Sequence, residues 1–186
     1  MTAHQTSPHH HGSAVGRRLR ELREARGLTL SELARMAGVG KATLSGLENG
    51  SRDPRLETLY AIAAALGVPM SALTLDRGAP VSTAAPVRGE AVVSTLLEVF
   101  EEPAATYELF ALRIVDGVEQ VSPAHPAGVT EHLTVFSGHA RVGPVDAPVP
   151  VGPGEHVSWA ADTPHLYAAA GPDEVRATLL IRTPRR

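Results

Sequence analysis

The residues of this chain that could bind a charged partner are concentrated near its amino end. Residues 13–75 carry nine Arg or Lys and six Asp or Glu, a balance of +3, and the rest carries eight and fourteen, a balance of −6, which sum to −3. The only lysine, Lys41, can donate to a guanine edge or to a phosphate. This asymmetry favours a nucleic-acid partner for the front half alone, although a solvated helical domain can show the same modest excess.

Lys41 lies in a stretch whose apolar pattern predicts two short helices joined by a tight turn, over about 30–37 and about 41–49. Thr29 is a good N-cap for the first helix, and Glu32 three residues later completes a capping box. This is the sequence form of a helix-turn-helix, whose second helix can enter a DNA major groove.

Three more helices are predicted around this pair. One spans 13–26, and a fourth begins at Pro54 with Asp53 as its N-cap and ends at Gly67. A short fifth helix spans 68–75. Five short helices of this kind predict a compact all-α domain.

Residues 16–75 resemble the XRE-type, lambda-repressor-like helix-turn-helix domain. The matching segments are RLRELREARGLTLSELARMAGV, TLSGLENGSRDP and LETLYAIAAALGVPMSAL. The resemblance implies that 41–49 is the recognition helix, with base edges facing its exposed positions and the DNA backbone near the residues after it. The implied DNA-binding residues are Lys41, Ala42, Thr43, Ser45, Gly46, Asn49, Ser51, Arg52, Thr29 and Ser31.

Two positions depart from that family pattern. Leu30 stands where glutamine is usual, which removes one implied DNA contact. Gly46 stands where a long polar residue is usual, and glycine inside a helix costs about 1 kcal/mol relative to alanine. One hypothesis is that Gly46 lets the helix approach DNA closely, and the other is that the position is merely permissive.

The pattern changes after residues 76–90, which are rich in Gly, Pro, Ser and Ala and predict a linker. From about residue 91, short alternating runs separated by Gly and Pro predict an all-β barrel or jelly roll. The candidate strands are 92–100, 106–115, 119–122, 131–136, 139–142, 156–159, 165–169 and 174–182.

This back half resembles the cupin fold, through HPAGVTEHLTVFSGHARVG and VPVGPGEHVSWAADTPHLYAA. The resemblance implies metal ligands at His125, Glu131 and His165, whereas the position of the second usual histidine holds Ala127. Two His and one carboxylate can still hold a divalent transition metal such as Zn, Ni, Fe or Mn. His132 is a poor substitute for the missing ligand because adjacent strand residues point to opposite faces.

A cupin that has lost one ligand can keep its barrel as a pocket for an organic molecule. We therefore expect weak or no metal binding in preference to a tightly bound metal. The predicted effector pocket comprises Tyr107, His125, Glu131, Val135, Trp159, His165 and Tyr167, of which each wall residue could equally be plain core.

The predicted architecture is thus multidomain, an all-α five-helix domain followed by an all-β cupin, the double-stranded jelly-roll barrel. Residues 1–12 are expected to form a disordered tail, 13–75 the DNA-binding domain, 76–90 the linker and 91–186 the cupin. The absence of cysteine excludes disulfides and thiolate metal sites. The sequence shows neither an apolar run of transmembrane length nor a signal peptide, so we expect a soluble cytoplasmic protein without a membrane partner.

These features predict a transcriptional regulator that binds double-stranded DNA as a homodimer at a near-palindromic operator and senses a small molecule. The alternative is a non-haem iron enzyme resembling the hydroxypropylphosphonate epoxidases, in which a helix-turn-helix-like domain also precedes a cupin. The longer gap between His125 and Glu131, and the lack of a Lys and Tyr cluster for a phosphonate, count against it. A third possibility is an interaction module without an effector.

Overall fold

Five helices form the amino-terminal domain in a computed structural model, which describes residues 9–75 and 85–185. Residues 1–8 of the tail predicted over 1–12, and residues 76–84 of the linker predicted over 76–90, lie outside the described residues. The helices are α1 (His9–Glu24), α2 (Leu30–Met36), α3 (Lys41–Glu48), α4 (Leu56–Leu66) and α5 (Ser71–Thr74).

Two helix starts differ from the sequence prediction. α1 begins at His9, so residues 9–12, which were assigned to a disordered tail, form its first turn. α4 begins at Leu56 and not at Pro54, and its N-cap is Arg55, whose backbone is extended (φ −90°, ψ 151°). Arg55 forms an isolated parallel β-bridge with Arg88, which keeps the chain extended before the helix.

The turn between α2 and α3 forms as predicted. The Thr29 hydroxyl accepts a hydrogen bond from the Glu32 amide at 3.2 Å, and the Glu32 carboxylate accepts one from the Thr29 amide at 2.8 Å. This reciprocal capping box satisfies two amides that would otherwise have no partner at the start of α2. Gly38 follows α2 with φ +64°, the left-handed conformation that glycine adopts without steric cost.

The helices close around buried leucines from α1, α2 and α3, namely Leu19, Leu33, Leu44 and Leu47. An ion pair between Arg23 and Glu48 at 2.7 Å ties α1 to α3 beside them. α1 crosses α3 at Gly16, where a Cβ atom would lie 2.0 Å from the Leu47 carbonyl oxygen. The helices can therefore approach this closely only because residue 16 has no side chain.

Ten strands form two antiparallel sheets, which confirms the jelly-roll prediction. One sheet has the order β1-β2-β3-β10-β5-β8 and the other β4-β9-β6-β7. The strands are β1 (Val87–Arg88), β2 (Val92–Glu101), β3 (Ala105–Ile114), β4 (Glu119–Ser122), β5 (Thr130–Ser137), β6 (Ala140–Pro144), β7 (Val149–Val151), β8 (His156–Ala160), β9 (His165–Ala169) and β10 (Val175–Pro184).

The eight predicted strands all form, within two residues at each end. The two strands that the prediction missed, β1 and β7, have two and three residues. Such strands are too short to show a period of two in the sequence. β1 lies inside the predicted linker and pairs with β2, so the barrel begins before residue 91.

One row of side chains crosses the larger sheet at the end nearest the helices. Glu108 on β3 pairs with Ile181 on β10, and Ile181 pairs with Glu131 on β5. Directly opposed residues in neighbouring strands point to the same face. Both carboxylates are only 1% exposed, so this row carries two buried acids separated by one apolar side chain.

α4 and α5 pack against this end of the barrel, and the buried apolar side chains of the two domains form one continuous cluster. The Tyr60 ring of α4 lies edge-on to the His125 ring, with 4.8 Å between ring centroids. The Ser71 amide of α5 donates to Glu108 at 2.6 Å. Within the described residues, no helix is long and apolar enough to cross a membrane.

The crossing of α1 and α3 gives a prediction about stability. Gly16→Ala is expected to destabilise the fold by about 1–3 kcal/mol, because the clash is with backbone and cannot be relieved by a rotamer change. This outweighs the gain in helix propensity of about 1 kcal/mol. Urea unfolding measures the change.

Gly40→Ala is the matched control, since a Cβ atom there meets only the Thr43 hydroxyl, at 3.5 Å. Its cost should be a few tenths of a kcal/mol, typical of a glycine N-cap position. Equal losses in the two variants would contradict the proposed crossing.

Candidate nucleic-acid interface and barrel site

α3 buries one face against α1 and α2 and turns the other outward. Leu44 and Leu47 anchor the inner face, whereas Lys41 and Ala42 at the start of the helix are exposed and Thr43 and Ser45 are half-buried. The remaining predicted DNA-binding positions outside α3 are all exposed, namely Thr29, Ser31, Asn49, Ser51 and Arg52. The structure thus brings nine of the ten predicted residues to accessible positions.

Gly46 is the exception, because it is buried and does not face outward as predicted. The side chain of Arg52 lies across it, and a Cβ atom on Gly46 would come within 2.8 Å of the Arg52 Cδ atom. The Gly46 carbonyl also accepts hydrogen bonds from the amides of Ser51 and Arg52, at 2.9 and 3.1 Å. The glycine therefore makes room for Arg52 and for the turn after α3, and Arg52 is the residue exposed at this point of the surface.

Arg52 is held along the outer side of α3 by this turn. The Asn49 carboxamide oxygen accepts a hydrogen bond from the Ser51 amide at 3.0 Å, which folds the chain back after the helix. One guanidinium nitrogen of Arg52 then reaches the Thr43 hydroxyl at 3.4 Å. Arg52 thus extends the exposed surface of α3 with a positive charge.

The barrel brings together the three predicted metal ligands. Glu131 Oε1 lies 3.0 Å from His125 Nε2 and 3.4 Å from His165 Nε2. The three ligand atoms lie within 4.8 Å of one another. The side chains of His125, Glu131 and His165 are 7%, 1% and 0% exposed, so this is an interior site.

Neighbouring groups fix the orientation of these ligands. His165 Nδ1 lies 2.9 Å from the Thr163 carbonyl oxygen, and a carbonyl only accepts, so Nδ1 carries a proton and Nε2 points to Glu131. The Tyr167 hydroxyl donates to the second carboxylate oxygen of Glu131. A histidine whose outer nitrogen is held by a carbonyl is the usual arrangement at metal sites.

The electrostatics of the site favour an ionised carboxylate. Burial alone raises the pKa of Glu131, but the hydrogen bonds and charges of His125 and His165 outweigh it and hold the pKa at about 2. Burial alone lowers the pKa of His165, and its interactions with Glu131 raise it above the usual value. Burial and the charge of Glu131 raise the pKa of Tyr167 well above 10, so its hydroxyl stays a donor.

The donor set fits a divalent transition metal. His165 Nε2 is buried and lies 3.4 Å from Glu131 Oε1, and among the described residues it has no other polar partner. Two imidazole nitrogens and one carboxylate suit Zn, Ni, Fe or Mn, and leave open positions for an exogenous ligand. The same three groups can also share protons without a metal.

The predicted pocket walls divide into two groups. Trp159 and Tyr167 are buried beside His165, with ring centroids 6.2 and 5.7 Å away. Val135 is fully buried, four residues along β5 from Glu131. The placement of Tyr107 was wrong, because it lies on the opposite face of β3 from Glu108 and is half-buried there.

Sequence reasoning missed two residues close to the site, Tyr60 and Glu108. In β3 every second residue from Thr106 to Ile114 is buried, so the alternation placed Glu108 inside. In the sequence, Tyr60 is one of the apolar residues along α4, and this pattern does not indicate that its side chain faces the barrel. His132 points away from the site as predicted and stacks on His156, with 5.8 Å between ring centroids.

Comparisons with known proteins agree with both halves of this structure. The HTH_3 helix-turn-helix family model matches residues 19–73. The HTH-type transcriptional regulator SutR of Escherichia coli (strain K12) is 33% identical over 168 residues, which cover 90% of this chain and 93% of SutR. RghRB of Bacillus subtilis (strain 168), described as an uncharacterized HTH-type transcriptional regulator, is 34% identical over 123 residues, 66% of this chain and 81% of its own length.

A solved structure extends the likeness to three dimensions. The crystal structure of an HTH_3 family transcriptional regulator from Vibrio cholerae superposes with a TM-score of 0.82 at 27% identity. The match covers 96% of this chain and 100% of that one, so it includes the helical domain and the barrel together.

The contact between Gly46 and Arg52 gives a prediction about DNA affinity. Gly46→Ala should displace the flexible Arg52 side chain and leave the fold intact, with a stability gain of at most about 1 kcal/mol. Affinity for duplex DNA should fall about fivefold to tenfold, as for Arg52→Ala, the lower range for loss of an Arg contact. Electrophoretic mobility shifts measure both.

The double variant Gly46→Ala with Arg52→Ala is the control. It should bind like Arg52→Ala alone if Gly46 acts only through Arg52. Additive losses would instead support a direct contact between DNA and the helix at residue 46.

Proposed function

The chain belongs to the XRE-type helix-turn-helix family of transcriptional regulators that carry a C-terminal cupin domain, and from this premise we propose that a small molecule bound in its cupin controls its occupancy of an operator. The observation that carries the proposal is the outward face of α3, with Lys41, Ala42 and Arg52 exposed. α4 and α5, and not α3, face the barrel site. A duplex can therefore meet α3 while the barrel holds a ligand.

The operator is proposed to be a near palindrome that a homodimer reads. Recognition helices related by a two-fold axis contact half-sites about one DNA turn, about 34 Å, apart. Genomic footprinting with the purified protein tests this, and it should show paired half-sites upstream of genes, including its own. Protection that is uniform along any duplex, with no preferred site, would contradict the proposal.

The barrel is proposed to act as the sensor, with or without a metal ion. His125, Glu131 and His165 would hold the ion, and Tyr167 would orient the carboxylate. A bound divalent metal would supply open coordination positions for an oxygen or nitrogen of the effector. Binding alters DNA occupancy only if the effector has different affinities for the two arrangements of the reading domains.

The alternative function is an iron enzyme of the epoxidase type, which the same two His and one Glu would allow. The position of the basic residues argues against it. The only lysine, Lys41, lies on α3, whereas α4 and α5 meet the barrel mouth, so no lysine is placed there to hold a phosphonate. Oxygen-dependent turnover of a hydroxyalkylphosphonate by the iron-loaded protein would establish the alternative.

Lys41→Ala tests the reading role of α3. The amino-terminal residues of a recognition helix reach base edges, so we expect loss of discrimination at one base pair in each half-site, about 1–3 kcal/mol. Binding to a set of singly substituted operators measures it. A uniform loss with a salt slope reduced by about one would instead assign Lys41 to a phosphate.

Arg176→Ala is the matched control for Lys41→Ala. Arg176 is an exposed cation on β10, its side chain 70% accessible, so its removal changes the net charge equally. It should leave operator discrimination and affinity unchanged. A similar loss in both variants would mean that net charge alone drives binding.

Removing a barrel ligand tests the metal site. The wild-type protein should bind Ni²⁺ or Zn²⁺, and Glu131→Gln and His165→Ala should each weaken binding at least tenfold, the usual scale for changes around a metal. Isothermal titration calorimetry of protein stripped with chelator measures this. His156→Ala, on the outer face, is the control and should bind like wild type.

A further inference from the structure

A cavity of about 590 Å³ lies between the two domains. The helical domain supplies the apolar wall, which includes Ala63, Ala64, Val68 and Met70 from α4 and the segment up to α5. The barrel supplies the opposite wall, with Glu108 among its residues. The volume is in the range of small-molecule sites, which are often found at domain interfaces.

We propose that this interdomain cavity is the binding site of the effector. The effector is a small primary amine with an apolar body, and its ammonium group binds Glu108. The inference rests on the proposed function, since it names the class of effector and its place. It places the effector at the end of the barrel that meets the helical domain, in a cavity that both Glu108 and the candidate metal ligand His125 line.

Charge in the cavity favours a cation. Glu108 is 1% exposed, and the groups that hydrogen-bond to it are neutral ones of Met70 and Ser71, with the Ser71 amide at 2.6 Å. Within the part of the chain that the structure describes, no side chain forms an ion pair with Glu108, and burial raises its pKa against the opposing hydrogen bonds of α5. A buried carboxylate without a counter-ion is costly, and an ammonium ion would relieve that cost.

The other charges of the cavity do not favour an anion. Among the described residues that line the cavity, Arg185 carries the one guanidinium, which is already paired with Glu101 at 3.0 Å and with the Thr106 hydroxyl at 3.2 Å. The nearby Glu131 adds negative potential, although His125 and His165 balance it. A carboxylate or phosphate ligand would therefore meet repulsion from Glu108, and it would have to compete with Glu101 for the guanidinium of Arg185.

The same carboxylate couples the cavity to the DNA-binding domain. Glu108 on β3 holds the start of α5 through Ser71, so a ligand ammonium would share the charge that now attracts this amide. The apolar body of the ligand would touch α4 and the barrel at once. A ligand with contacts on both domains has different affinities for different domain placements, which is the requirement for control of DNA binding.

Calorimetry on the full-length protein tests the ligand class with three matched probes, n-hexylamine, hexan-1-ol and hexanoate. We expect hexylamine to bind, hexanol to bind at least tenfold more weakly, and hexanoate not to bind. Equal affinity for hexylamine and hexanol would overturn the inference, because the carboxylate would then contribute nothing. Failure of hexylamine to bind would overturn it as well.

Two substitutions test the location. Glu108→Gln keeps the shape and an acceptor for Ser71 but removes the charge, and should weaken hexylamine binding at least tenfold, a loss typical of one charged hydrogen-bond partner. Glu98→Gln, on the exposed surface of β2 and outside the cavity lining, is the control and should change affinity less than twofold. Ala64→Phe fills the cavity from the helical side, leaves Glu108 unchanged, and should also abolish binding, so the test survives if Glu108→Gln does not fold.

The two proposals can fail separately. Hexylamine binding that survives Glu108→Gln and Ala64→Phe but is lost in Glu131→Gln would place the effector in the barrel, overturning this inference and leaving the regulator intact. Binding that depends on Glu108 but comes without operator protection would support the cavity and overturn the regulatory function. Binding that depends on Glu108 and shifts operator affinity would support both.

Discussion

The buried, ionised carboxylate of Glu131 determines which groups must surround it in the interior of the barrel. Such a charge costs several kcal/mol to remove from water, and it is tolerated only where neighbouring groups compensate. Here two imidazoles and a tyrosine hydroxyl converge on its two oxygens. The strands on both sheets must keep their register for these groups to meet, so the site and the fold stabilise each other.

The second buried acid, Glu108, lies at the domain boundary and has different hydrogen-bond partners from Glu131. Glu108 lies in the same cross-strand row as Glu131, but backbone amides of the helical domain and not side-chain cations meet it. Tyr60 spans the same boundary and packs against His125, so a helix of the DNA-binding domain touches a ligand of the barrel site. A change at either acid therefore acts directly on α4 or α5, the helices of the DNA-binding domain that meet the barrel.

Local signals were enough to predict most of the fold, whereas contacts between distant segments were not predictable. The capping box at Thr29 and the period-two strands are written in short stretches, and they formed as expected. The three barrel ligands came from the family likeness. The role of Gly46 depends on the position of Arg52, which the turn after α3 determines. Tyr107 was assigned to the wrong face of β3, although the alternation of this strand indicates that Glu108 points into the barrel and Tyr107 does not. That Tyr60 faces the barrel depends on domain packing, which no helical period records.

Because the Arg52 side chain lies over Gly46, packing of the helix and presentation of charge, which one helix usually combines, depend on different residues. The folded shape of α3 depends on its buried leucines and on the glycine, whereas part of its outward charge comes from a residue four positions beyond its last turn. Replacements at residue 52 can therefore redraw the electrostatic surface presented to a duplex without disturbing the packing beneath. In a lineage of such proteins, this arrangement provides a route by which target preference diverges while the scaffold is inherited intact.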